Sequence, residues 1–354
     1  MEIGTITETA YLITLTPENI LALIGIGLLG GILSGFLGSG GAFIMTPAMM
    51  NLGIPGILAV AANITHKFGK AIQGAKKHNE LGNVDKKLGI VMFVALLTGV
   101  KLAFHANSGI LKQLGEAYSD LYINTIFVLI LSFVTVLIII DIIKRRGSSD
   151  NSTAKVMNTK WLEKLNVPPV IYFPVAKVHV SLWVVLLVGL TTGFLAGTVG
   201  VGGFIGVTAM IYILRMTPQV AAGTELFLAI FSGAYGAYLY TINGYLDIRI
   251  VLLLYLGSLI GIYIGAIGNK IVTGLQIRII MAITVGMVTL SRAVSLPGNL
   301  VKIEYIFLSE KTTEILHFIS TIILFGSGII SVLMITYLVI NNLYGKKPAF
   351  KLFR

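Results

Sequence analysis

Two short runs carry most of the chemistry this chain can offer. Leu37-Gly38-Ser39-Gly40-Gly41 and Val199-Gly200-Val201-Gly202-Gly203 each interrupt an apolar segment. Glycine weakens a helix by about 1 kcal/mol per residue relative to alanine. Each run therefore predicts a break, with a second half-helix starting at Gly41 or Gly203. A half-helix N-terminus presents unpaired N–H groups and the positive end of a dipole. Two such ends facing each other make an anion site without a buried Lys or Arg. On this reading the N–H groups of Gly40, Gly41, Gly202 and Gly203 hold the anion, and Ser39 adds a hydroxyl.

A polar stripe supplies the rest. In Asn63-Ile64-Thr65-His66-Lys67-Phe68-Gly69-Lys70, helical spacing puts Asn63, His66 or Lys67, and Lys70 on one face. The second half offers Thr224 and Glu225. Asn63, Thr65 and Thr224 would add hydrogen bonds, and Lys67 or Lys70 would add charge. His66 is either a pH-sensitive group in the site or a structural histidine. Ionisable groups inside a membrane segment cost several kcal/mol unless they face a cavity or a partner. That leaves two roles for Glu225: a proton carrier coupled to transport, or the buried partner of Lys67 or Lys70. Asp85 and Asp247 each follow a glycine by three positions at the start of an apolar segment, where an N-cap explains them.

The elements that must hold these residues are membrane helices. The 354 residues are 56% hydrophobic and only 12% charged, with mean hydropathy +0.91. A soluble domain carries about twice that share of charge, so a soluble enzyme is excluded. The fold class expected is an all-α polytopic membrane protein. Clear spans fall at about 19–37, 88–104, 121–143, 181–198, 250–268 and 313–341. Shorter or more polar segments fall at about 42–52, 57–76, 204–214, 219–241 and 278–291. There is no cysteine, hence no disulfide or thiolate metal site, and the scattered histidines suggest no metal. The basic residues lie between apolar segments, which argues against nucleic acid as partner for the +11 charge. Clusters at Lys67–Lys87, Lys144–Lys177 and Lys346–Arg354 read as cytoplasmic. The N-terminus then lies outside and the C-terminus in the cytoplasm. Arg292 is among the few basic residues left to the outer loops. No enzyme signature and no cofactor motif is found.

The chain also repeats itself. Shifted by 162 positions, Gly31, Gly35, Gly38, Gly40 and Gly41 fall on Gly193, Gly197, Gly200, Gly202 and Gly203. In the same register Thr46 falls on Thr208, and Gly74, Gly82, Asp85 and Gly99 fall on Gly236, Gly244, Asp247 and Gly261. Residues 1–18 are an outer N-terminal segment and 19–146 the first repeat. Residues 147–180 are a solvated cytoplasmic linker with a short amphipathic piece around Trp161–Leu165, and 181–292 are the second repeat. An outer loop, an additional C-terminal helix and a basic tail fill 293–354. An odd number of crossings before the linker inverts the second repeat relative to the first. That arrangement puts a substrate site near the membrane midplane where the repeats meet.

The pattern Gly31-x3-Gly35-x2-Gly38-x-Gly40-Gly41, then Pro55 and Gly74-x7-Gly82-x2-Asp85, with its second copy from Gly193 to Asp247, resembles the TauE/SafE sulfite exporter family, also called the toluene sulfonate uptake permeases. The resemblance implies a secondary transporter of sulfur oxyanions or organosulfonates in the cell membrane, working by alternating access. Its partners would be the small anion, the lipid bilayer and protons or another coupling ion. An uncoupled anion channel and a non-transporting membrane scaffold are the rival readings. Three departures stand out: Ala42 where a third glycine is common, the polar Asn63–Lys67 stretch, and the helix near 313–341 with no counterpart in the first half.

Overall fold

A computed structural model of the chain describes residues 12–37, 42–146 and 167–343. It holds eleven helices among these residues. The first half contains α1 (Pro17–Leu37), α2 (Ala42–Asn51), α3 (Gly56–Glu80), α4 (Lys86–Leu114) and α5 (Glu116–Arg146). A hairpin of β1 (Val170–Phe173) and β2 (Val178–Ser181) follows. The second half contains α6 (Leu182–Val199), α7 (Gly202–Tyr212), α8 (Pro218–Ile242), α9 (Ile248–Ile271) and α10 (Gly274–Lys302), and α11 (Glu310–Leu343) closes the described chain. Eight of these are long and apolar enough to cross a membrane: α1, α4, α5, α6 and α8 to α11. Every segment expected from the sequence is a helix, and the class is an all-α polytopic membrane protein.

The five-helix order repeats. α2 and α7 have 10 and 11 residues, about half of what a bilayer needs. α3 and α8 have 25 residues each, and both pairs keep the 162-residue register. The two halves interlock rather than sit side by side. α1 lies along α9, with Gly27, Gly31 and Gly35 against Leu254, Ser258 and Ile262 in turn. α6 lies along α4 in the same way, with Gly189, Gly193 and Gly197 against Met92, Leu96 and Val100. Both pairs are parallel. α3 and α8 cross antiparallel, since Ile64, Phe68 and Gly74 meet Gly236, Gly233 and Leu226. α5 and α10 are antiparallel too. Asn124 Nδ2 donates to Ser295 Oγ at 2.8 Å, and Arg278 pairs with Asp141 at 3.4 Å towards the opposite end.

Glycine makes the parallel seams possible. A Cβ on Gly31 would stand 2.6 Å from the Ser258 carbonyl oxygen, and one on Gly99 would stand 2.6 Å from Phe194 N. Between membrane helices, backbone approach of this kind supplies the packing that the hydrophobic effect supplies in water.

Asp85 and Asp247 cap α4 and α9 through Leu88 N and Arg249 N. Each also captures the segment leading into the helix its own helix packs against. Asp85 Oδ2 accepts from Val175 N (3.1 Å) and Ala176 N (3.0 Å), just before α6. Asp247 Oδ2 accepts from Ile13 N (3.3 Å), just before α1. Asp85→Ala should cost about 2 kcal/mol or more. A lowered melting temperature in detergent, with unchanged flux per folded molecule, is the expected outcome.

Three expectations need amendment. The stretch before α6 is more than a solvated linker: the hairpin buries Phe173, Ala176 and Val180 with Leu88 and Met92 of α4. Residues 293–302 continue α10 rather than opening an outer loop, the helix running on through Pro297 to Lys302. Arg292 lies inside the bundle at 2% exposure and donates to Asn51 of α2 and Ser320 of α11. Trp161–Leu165 and the tail from 344 fall outside the described residues, as do residues 1–11.

Candidate functional site

α6 ends at Gly200, whose φ of +77° takes the left-handed turn that stops the helix. α7 begins two residues later, at Gly202. A helix end inside a membrane protein leaves carbonyls that need donors, and side chains from other helices provide them. Asn107 Nδ2 of α4 donates to the Thr198 carbonyl (3.1 Å) and to Tyr240 OH (2.8 Å). Tyr240 OH of α8 donates to the Gly197 carbonyl (2.9 Å). Thr46 Oγ1 of α2 donates to the Val199 carbonyl (3.1 Å), and Asn63 Nδ2 of α3 donates to Thr46 Oγ1 (2.8 Å). Asn107, Thr46 and Asn63 of the first half and Tyr240 of the second thus seal the negative end of the break.

The positive end is treated differently. The N-cap residue of α7, Val201, makes no side-chain cap hydrogen bond, and Gly202 and Gly203 are buried. The charged group placed there is Lys67. Its Nζ lies 3.1 Å from where a Cβ on Gly202 would stand. The same Nζ pairs with Glu225 Oε1 at 3.1 Å, the two side chains being 12% and 3% exposed. Glu225 Oε2 accepts no hydrogen bond among the described residues. It faces Gly206, one turn into α7, where any side chain would collide with the carboxylate. The two half-helices also approach at their first turns, with the Phe43 and Phe204 rings 5.5 Å apart.

The sequence-derived candidates separate on this geometry. Asn63, Lys67, Gly202, Gly203 and Glu225 come together. Lys70, one turn beyond Lys67, is half-buried and has no carboxylate at ion-pair distance among the described residues. His66 turns to α9 instead, with Nε2 2.7 Å from Ser258 Oγ and its ring 4.6 Å from that of Tyr255. That is the structural alternative for this histidine. Thr65 donates back to Ala61 O within its own helix (2.7 Å). Thr224 Oγ1 accepts from Asp85 N (3.0 Å) at the base of α4, so it serves a joint rather than the break. Ser39, Gly40 and Gly41 lie outside the described residues. Of the two roles open to Glu225, its pairing with Lys67 is present.

Sequence reasoning missed Thr46, Asn107, Tyr240 and Gly206 as parts of this site. Thr46 carried a signal in its repeat match to Thr208. The 162-residue register also aligns Asn63 with Glu225, so one position on the crossing helices is polar in both repeats.

A protein-family model described as "Sulfite exporter TauE/SafE" matches residues 23–292. Three proteins of Bacillus subtilis (strain 168) are similar. The probable membrane transporter protein YdhB is 25% identical over 67% of this chain and 84% of its own. The probable membrane transporter proteins YunE and YjnA are 22% and 26% identical. Those two matches cover 75% and 70% of this chain, and 94% and 89% of the relatives. No solved structure matches the chain.

Proposed function

The chain belongs to the sulfite exporter TauE/SafE family of membrane transporters, and from that premise we propose that it is a secondary transporter of a sulfur oxyanion or organosulfonate in the cell membrane. One observation carries the proposal: α7 begins inside the bundle with no side-chain cap from its N-cap residue Val201 and with Lys67 beside it. Unpaired N–H groups and the dipole favour an anion there, and the adjacent carbonyl end is already consumed by Asn107, Tyr240 and Thr46. Gly202 and Gly203 would present N–H groups, Asn63 would orient the substrate, and Lys67 and Lys70 would supply charge. Glu225 would carry a proton coupled to the anion, leaving Lys67 as it does so.

The antiparallel crossing of α3 with α8, and of α5 with α10, supports a reading of the halves as inverted repeats. Motion of one repeat against the other would then open the site to either side in turn. The basic clusters support a cytoplasmic C-terminus on this reading.

Proteoliposomes loaded with buffer and offered radiolabelled sulfite or a C2 sulfonate test the proposal. Saturable flux that responds to an imposed pH gradient is expected. Gly202→Leu should reduce it to background, since its Cβ alone would meet Ala196 and Lys67 Nζ. Flux linear in concentration would mean a channel. No flux of either anion in folded protein would remove the sulfur-anion assignment.

A further inference from the structure

The charges at the helix break do not cancel. Among the described residues, Lys67 of α3 and Glu225 of α8 meet at the break, and helical spacing sets Lys70 on the same stripe of α3 as Lys67. Neither α2 nor α7 carries an acidic or basic residue apart from the Tyr212 phenol at the far end of α7, and Glu225 is the one Asp, Glu, Lys, Arg or His in α8. Of the neighbouring groups, α6 adds the neutral Thr192, which lines Gly206 with Glu225. Asp85 is taken up by backbone N–H groups of α4 and the hairpin, and His66 by Ser258 of α9. Helical spacing puts Asn63, Lys67 and Lys70 on one stripe of α3. Asn63 and Lys67 of that stripe contact the break. Glu225 balances Lys67 and leaves Lys70 over, a net single positive charge.

Net charge enclosed by a membrane protein is costly, so an occupied site is most stable when substrate and protein charges sum to zero. We propose that Glu225 sets the valence of the transported anion: the ionised carboxylate makes this a site for monoanions, and its neutralisation makes it a site for dianions. The inference rests on the anion site proposed above. The buried pair shows the principle, for Glu225 Oε1 offers Lys67 Nζ an anionic oxygen at 3.1 Å, as a substrate oxyanion would. A substrate monoanion then needs only Lys70 and the α7 N-terminus. A dianion needs Lys67 as well, and must displace Glu225 to reach it.

Methanesulfonate and sulfate are the probes, being tetrahedral sulfur anions that differ by one charge and keep it across the working pH range. Their affinities are measured on purified protein in detergent, by competition against labelled sulfate and by calorimetry. The parent should prefer methanesulfonate. Glu225→Gln should move the affinity ratio toward sulfate by roughly tenfold or more, as one unit of charge inside protein implies. Lys70→Gln leaves the buried pair intact and should move the ratio the other way. Glu225→Gln with Lys70→Gln restores the charge count and should return the ratio to within about threefold of the parent. A ratio that stays fixed in both single variants overturns the valence rule while leaving the anion site in place. A ratio that shifts in Lys70→Gln alone does so if Glu225→Gln gives a monodisperse, folded protein. If the parent binds neither anion, the site reading falls and the valence rule with it.

Discussion

Gly261→Leu should yield no folded transporter. A Cβ at this position would stand 2.7 Å from Ile32 N and would overlap the Leu28 carbonyl oxygen and the Gly31 carbonyl carbon. Backbone on both sides cannot yield as a flexible side chain would, so α1 and α9 must separate along their length. Overpacking a rigid core costs about 1–3 kcal/mol for far smaller insults, and domains hold only about 5–15 kcal/mol in all. The neighbouring glycines Gly31, Gly35, Gly257 and Gly265 have the same close approach, so the lost packing spreads over several turns. Gly25→Leu and Gly109→Leu are the controls, because nothing lies within 4 Å of a Cβ at either position. Size-exclusion profiles of fluorescent-protein fusions distinguish the outcomes. A monodisperse peak for Gly261→Leu would contradict the seam as drawn.

The second large effect concerns the buried pair. Lys67→Met leaves the Glu225 carboxylate 3% exposed with no cation at ion-pair distance among the described residues, a change worth about 3–5 kcal/mol in buried pairs. Low yield, a depressed melting temperature and no flux are expected. Lys67→Met with Glu225→Leu removes both charges and should recover most of the stability, because well-packed apolar replacements for a buried pair are often neutral. Dianion flux should remain absent, since a dianion needs Lys67 as well as Lys70 and the α7 N-terminus. Stability recovered with dianion flux still lost separates the functional role of Lys67 from a structural one. Recovery of dianion flux in the double variant would falsify a role for Lys67 in holding the anion.

The repeat register was the most legible part of the chain. Glycines at fixed spacing survive as packing surfaces, so Gly31, Gly35, Gly193 and Gly197 announced both helices and seams. The breaks could be read because Gly200 and Gly202 stand where an apolar helix should continue. Glu225 was visible as a lone acid in an apolar run, but its partner was not: choosing Lys67 over Lys70 depends on the crossing of α3 and α8. Thr46 and Asn107 bond to carbonyls more than 80 residues distant, and no local pattern encodes that pairing. Arg292 looked like a loop residue because it directly follows the span expected at 278–291. Its burial comes from Asn51 and Ser320, which belong to α2 and α11. The hairpin escaped notice because its strands have four residues each and follow a proline pair.

The parallel pairing of α1 with α9 has a bearing on how the protein is made. Translation at about 5–20 residues per second puts the start of the chain on the order of tens of seconds ahead of its ninth helix. Through that interval α1 is in the bilayer with its glycine face against lipid, as is α4 until α6 arrives. The first five helices are therefore not a finished half awaiting a twin. They are an open framework, dependent on insertion machinery or lipid to keep the faces apart from wrong partners. Splitting the gene between the halves should give two fragments that accumulate only when both are synthesised in the same membrane.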